Sequence, residues 1–262
     1  MSTLVWRVVG ASARGIAHQE KDVSCQDAYR LQILSSGELL IAVADGAGSA
    51  DRSNDGAHLA VEQAVVSLEM SIGEQSPIDE AGWRTLIADV FRKVYGTLAL
   101  TAATENVTLR SFATTLTCVV VSDGWLVVGQ IGDGVAVAEA EDGSLFLTVR
   151  PQRGEYANEA YFLTMPEALR YVEIHAYHQR VRALAVTTDG LLRLALKLPD
   201  YKPYPPFFQP LLGFIAEAED ENQAREQLVA FLTSDRVCAR TDDDKTLVLA
   251  ARLTPLPAAL TY

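Results

Sequence analysis

TTLTCVVVSDGWLVVGQI, residues 114–131, is two apolar runs rich in β-branched residues, joined by Ser122-Asp123-Gly124. Runs of this length and composition read as buried strands, and Asp-Gly between two of them is a strong hairpin signal. The pattern recurs at 135–140 and 145–149 around Glu141-Asp142-Gly143. Further strands are expected within 3–12, 29–34, 39–44, 181–187 and 246–253. Helical spacing of Ala57, Ala60, Val61, Ala64, Val65 and Leu68 predicts a helix after a glycine-rich turn, with Asn54 or Asp55 as its cap. Trp83, Leu86, Ile87, Val90, Phe91 and Val94 predict a second helix over 79–101. A short helix near 191–196 and a last one over 221–232 complete the set. The prolines of LPDYKPYPPFFQPL (198–211) predict irregular chain with its aromatic residues buried. Hairpins make the strands mostly antiparallel, and the first two helices arrive as a pair instead of alternating with strands. The fold class is therefore α+β: a central antiparallel β-sandwich flanked by helix pairs. No repeat or linker divides the chain, so residues 1–262 read as one domain.

Hydrophobic residues make up 49% of the chain, enough for a sizeable core, yet no run approaches the ~18 apolar residues of a membrane span. The N-terminus carries no secretory pattern. A net charge of −12 repels phosphate backbones and argues against sequence-independent nucleic-acid binding. Cys25, Cys118 and Cys238 are odd in number and far apart, which fits neither a disulfide framework nor a zinc site and points to a reducing, cytoplasmic compartment. Cys118, inside an apolar strand, reads as core and not as a nucleophile.

The informative polar residues sit at the ends of the apolar runs. Asp45 closes LLIAVAD, Asp189 follows ALAVTT, and Asp243 stands just before KTLVLAARL. A carboxylate at the rim of a buried strand is held rigidly and can converge with others. Crowded carboxylates repel, need a cation, and as an all-oxygen set suit Mg²⁺ or Mn²⁺. Asp123-Gly124 and Asp142-Gly143 are explained as hairpin turns, whereas Asp133-Gly134 reads equally as a turn or as part of a site.

In order, the chain contains CQDAY (25–29), VADGAGS (43–49), FATTLT (112–117), QIGDG (130–134), TTDG (187–190) and DDDKT (242–246). This series resembles the metal-dependent serine/threonine phosphatases of the protein phosphatase 2C type over nearly the whole chain. The likeness is to a compact bacterial branch, marked also by GEYANEAYFLT (154–164). The resemblance implies a four-layer αββα sandwich and hydrolysis of phosphoserine and phosphothreonine by a metal-activated water at a dinuclear centre. By the same resemblance Asp45 bridges two Mg²⁺ or Mn²⁺ ions, the Gly46 carbonyl ligates one, and Asp189 and Asp243 supply the other carboxylates. Asp27 orients the attacking water, and Asp133 holds a third, weaker metal. The implied partners are a phosphoprotein substrate and an opposing serine/threonine kinase.

Three positions depart from the family pattern. Asp22 stands where an arginine usually grips the substrate phosphate, and Arg14 is the nearest substitute. Gln26 replaces a glutamate. Asp244 replaces an asparagine and either competes with Asp243 as ligand or caps the turn; Asp243 is the preferred ligand. His18 is a candidate general acid, weighed against an ordinary surface histidine. Glu155 and Asn158 suggest a polar loop near the site. The rival readings are a pseudophosphatase that binds phosphoproteins without turnover and a metallohydrolase of small phosphate esters.

Overall fold

The computed structural model describes residues 5–74, 76–152 and 161–253. Its strands, in chain order, are β1 (Val5–Ala13), β2 (Asp27–Ile33), β3 (Leu39–Asp45), β4 (Leu116–Ser122), β5 (Trp125–Ile131), β6 (Val135–Ala140), β7 (Leu145–Leu147), β8 (Glu173–Tyr177), β9 (Val181–Thr187), β10 (Leu196–Lys197), β11 (Lys202–Pro203) and β12 (Lys245–Leu253). The helices are α1 (Ile16–Glu20), α2 (Ser53–Glu74), α3 (Glu80–Thr104), α4 (Leu192–Ala195), α5 (Pro205–Glu217), α6 (Glu221–Leu232) and α7 (Asp235–Cys238).

Two five-stranded antiparallel sheets form, in the orders β1-β12-β9-β6-β7 and β2-β3-β4-β5-β8. The Asp123-Gly124 hairpin brings Ser122 opposite Trp125, with Gly124 at φ +79° as the turn requires. Alternation of side chains splits each central strand between two cores. On β12, Val248 and Ala250 face the other sheet with Leu39, Ile41, Val43 and Val186, while Leu247, Leu249 and Ala251 face α5 and α6. On β3, Leu40, Ala42 and Ala44 instead meet α2 and α3, where Trp83, Phe91 and Leu98 are wholly buried. Strands apolar on both faces are what a four-layer α-β-β-α stack needs.

The structure corrects three expectations. The proline-rich stretch is helical from Pro205 onward. Pro205 and Pro206 occupy the first turn, where no backbone donor is needed and the fixed φ suits the helix. Pro210 costs one internal hydrogen bond, offset by burial of Phe208, Leu211, Leu212 and Ile215 on the outer sheet face. Of the aromatics there, Phe208 is fully buried and Tyr204 remains exposed. Second, α2 begins at Ser53, so neither Asn54 nor Asp55 precedes it as a cap. The Asn54 amide donates to the Cys25 carbonyl (2.5 Å) and Asp55 pairs with Arg52 (2.8 Å). Third, β8, in EIHAY, is an edge strand not expected from its polar composition; pairing with β5 defines it. Cys118 is buried as expected, and burial pushes its thiol pKa up.

Candidate metal centre

The carboxylates meet at one end of the sandwich because strand register puts them there. Asp27 and Asp45 are direct partners across β2 and β3. In the opposite sheet Leu247 pairs with Thr187, which sets Asp189 just beyond β9 beside Asp243 just before β12. Gly190 permits that approach: a Cβ there would collide with the Asp244 carbonyl. Asp133 lies in the connection from β5 to β6, which carries the chain from one sheet to the other. Gly132, at φ +106°, supplies the left-handed bend before it.

Hydroxyls fix the cluster. The Thr188 Oγ1 donates to Asp27 Oδ2 (2.7 Å) and accepts from the Thr246 amide (3.1 Å), linking the two sheets through an aspartate. The Asp45 amide donates to Thr115 Oγ1 (2.9 Å), and the Asp45 carbonyl accepts from the Thr115 amide (2.8 Å). Gly46 forms a bridge with Thr114 and its amide donates to the Gln26 carbonyl (3.1 Å). The loop that leaves β3 is therefore clamped on both sides.

Electrostatics single out these groups. Burial pushes Asp27 up to about 7 against the pull of the Thr188 and Thr246 hydroxyls. Burial, then Asp133 and Asp243, lift Asp189 to about 8. Asp45 is raised well above the carboxylate range by burial, then by Asp27, Asp189, Asp243 and Asp133. Burial also raises Asp243, which Asp244 pushes further and the Asp244 amide and His18 oppose. Asp27, Asp133, Asp189 and Asp243 thus all act on Asp45. Among the described residues no three acidic, histidine or cysteine side chains close on a common point as a ready-made cage. The carboxylates are nonetheless near enough for Asp27, Asp133 and Asp243 to perturb both Asp45 and Asp189.

The donor set fits a hard divalent cation. It is all oxygen, strongly acidic and unaccompanied by thiolate. Gln26 Oε1 is buried with no hydrogen-bond partner among the described residues, and it faces Gly48 in the loop that leaves β3. An orphaned buried acceptor beside clustered carboxylates suits a hydrated ion, whose waters donate.

Asp244 does not point to a ligand role. Its Oδ1 accepts from the Gly15 amide (2.6 Å), and its Oδ2 accepts from the Gln26 amide (2.5 Å) and meets His18 Nδ1 (2.9 Å). With its side chain 1% exposed, it clasps the β1–α1 turn and the start of β2 to β12. His18 is accordingly a tethered, part-buried residue and not an ordinary surface histidine. The clasp was invisible in sequence because its partners lie more than two hundred residues away. Lys245, fully buried, was missed as well; its Nζ donates to the Asp243 carbonyl (3.1 Å) and pins the turn that presents Asp243. Asp244→Ala strands two buried amides and is expected to cost about 3 kcal/mol, lowering Tm by roughly 6–12 °C for a chain of this size. Thermal unfolding read with Mn²⁺ titration checks this: an unchanged Tm with weakened metal binding would make Asp244 the ligand.

Arg14 lies beside the clasp. Its guanidinium donates to the Val23 carbonyl (3.3 Å) and stands 3.9 Å from Asp22, the residue occupying the usual arginine position. Glu155 and Asn158 lie outside the described residues; Tyr161, just after them, stacks on Tyr171 with centroids 4.5 Å apart.

A sandwich with paired helices outside and acids gathered from both sheets at one end defines the class: the chain belongs to the protein phosphatase 2C family, whose sequence profile matches residues 14–233. It is a family of metal-dependent protein serine/threonine phosphatases. Over 252 residues the chain is 35% identical to serine/threonine-protein phosphatase 3 of Escherichia coli (strain K12), spanning 94% of this chain and 98% of that protein. Among solved structures it resembles a bacterial serine phosphatase (TM-score 0.66, 10% identity, 97% of this chain and 100% of that one). It also resembles the catalytic domain of the phosphatase PstP in complex with two manganese ions (TM-score 0.60, 17% identity, 96% and 100%). A third likeness is to the phosphatase Stp1 of Staphylococcus aureus (TM-score 0.61, 13% identity, 96% and 97%). At these identities the structures speak for the fold.

Proposed function

We propose that this protein is a cytoplasmic, single-domain phosphatase that hydrolyses phosphoserine and phosphothreonine in proteins at a centre holding two Mg²⁺ or Mn²⁺ ions. One observation supports the reading: Asp27 and Asp45 pair across β2 and β3, the register of β9 on β12 sets Asp189 beside Asp243, and Asp27, Asp133, Asp189 and Asp243 all act on Asp45. In this reading Asp45 would be shared by the two ions, the Gly46 carbonyl and the carboxylates of Asp189 and Asp243 would be their other protein ligands, and Asp133 would hold a third, weaker ion. Such ions supply Lewis acidity for the phosphoryl oxygens and an activated water as nucleophile.

The chain's own residues set the geometry. Asp27 is held by the Thr188 hydroxyl and orients the attacking water through its remaining acceptor positions. Gln26 Oε1 accepts from a neighbouring water in place of the usual carboxylate, leaving the site one charge less acidic. Arg14 grips the substrate phosphate once it leaves its loose contact with Asp22, and the phosphoprotein is supplied by an opposing kinase.

The test is phosphate release from a phosphothreonine peptide in Mn²⁺, in Mg²⁺ and in EDTA. Turnover that requires either ion and vanishes in EDTA is expected. A folded protein that binds Mn²⁺ yet releases no phosphate in any condition would turn the reading to a phosphoprotein-binding module, which the missing arginine at position 22 would then explain.

A further inference from the structure

Beside the acidic cluster lies a cleft of about 610 Å³ whose chemistry is its opposite. One wall is Ala47, Gly48 and Ser49, the residues directly after Gly46; the other is Phe162 and Met165, and Arg110 stands at the rim. Among the described residues no acidic side chain lines it, on a chain whose net charge is −12. Arg110 is exposed and makes no ion pair or side-chain hydrogen bond among the described residues, whereas nearby Arg52 is engaged by Asp55 and Glu105.

Both walls and the base of Arg110 are fixed. The Leu163 amide donates to the Thr114 carbonyl (2.8 Å), which ties the second wall to the strand beside Asp45. The short turn carrying Arg110, Leu109–Phe112, is anchored by buried Phe112 and by the Arg52 amide on the Ser111 carbonyl (2.9 Å). Arg52 also lies over the Phe112 ring, 4.6 Å from its centroid. An exposed guanidinium on a fixed turn, at a cleft that begins directly after the proposed metal loop, suits an extended peptide that carries a carboxylate.

Resting on the phosphatase reading above, we propose that this cleft binds the polypeptide flanking the phosphorylated residue, and that Arg110 selects substrates with an acidic side chain there. The ligand is a phosphopeptide with Asp or Glu close to the phosphorylated residue. Ala47, Phe162 and Met165 take the neighbouring side chains, and Arg110 supplies a countercharge to the acidic group.

The experiment compares phosphothreonine peptides in Mn²⁺ that differ only in bearing Asp, Ala or Lys at each of the three positions on either side of the phosphoresidue. At the responsive positions the wild type is expected to favour the acidic peptide in kcat/KM on the order of tenfold, about one charge-assisted contact. That preference should shrink as salt is raised from 50 to 500 mM, as an exposed ionic contact requires (roughly a threefold shorter screening length). Arg110→Ala is expected to remove the preference and Arg110→Glu to reverse it toward the lysine peptide, the change falling in KM. Equal selectivity in wild type and Arg110→Glu, both hydrolysing phosphopeptides, would overturn the assignment of Arg110. A wild type that hydrolyses neither any phosphopeptide nor para-nitrophenyl phosphate would overturn the phosphatase reading itself, and the cleft assignment with it.

Discussion

Asp45→Asn is expected to abolish metal-dependent phosphate release, by at least about a thousandfold, while leaving the fold intact. Loss of an outer-sphere partner at a metal site typically costs ~10–100-fold, and Asp45 is assigned the one carboxylate shared by both ions. Asparagine has the same shape and keeps a carbonyl oxygen, so the Thr115 and Thr114 contacts to the Asp45 backbone persist. What disappears is a charge that Asp27, Asp189, Asp243 and Asp133 all oppose. The same substitution should therefore stabilise the metal-free protein at neutral pH even as it ends activity. Stabilisation with inactivation is the signature of a residue strained for function. Calorimetric Mn²⁺ titration and unfolding in EDTA read the two halves. A variant that keeps a tenth of wild-type turnover would sink Asp45 as the bridging ligand.

What could be read from the sequence followed the range over which each cause acts. The SDG hairpin, the LLIAVAD strand and the two long amphipathic helices are local, and they form where the residue pattern puts them. Asp45 was legible for the same reason: a carboxylate ending a buried run. Asp189 and Asp243 were legible as carboxylates flanking buried runs too, but their meeting depends on the register of β9 against β12. The helix at Pro205 runs against proline's usual effect because Pro205 and Pro206 stand in its first turn, where no backbone donor is needed. The Asp244 clasp, the Thr188 link to Asp27 and the place of the exposed Arg110 at the cleft had no sequence signal. Each is defined by partners, or by a surface, that only the tertiary structure assembles.

The carboxylates also fix how stability responds to pH. An unfolded aspartate titrates near 3.9, whereas Asp27 and Asp189 in the folded protein titrate near 7 and 8. Between about pH 4 and 8 the folded state therefore holds protons that the unfolded state has released, and stability falls as pH rises. The contribution of these groups is complete below pH 4 and is lost as pH climbs through 7 and 8. Metal binding inverts the trend: ligation needs ionised carboxylates, so it releases protons and strengthens with pH. In EDTA the Tm is expected to drop by at least ~5 °C from pH 5 to pH 8, given about 2–4 °C per kcal/mol at this size. Saturating Mn²⁺ should raise Tm more at pH 8 than at pH 5. Asp189→Asn separates this from other titrations, because it removes one raised group and relieves its neighbours, flattening the EDTA profile. A metal-free Tm that rises from pH 5 to 8, or an Asp189→Asn profile as steep as the wild type, would show that the folded cluster does not hold its protons as derived above. An acidic site arranged in this way is stable without its ions only while it keeps its protons, so the ions that would make it a catalyst also make it stable at neutral pH.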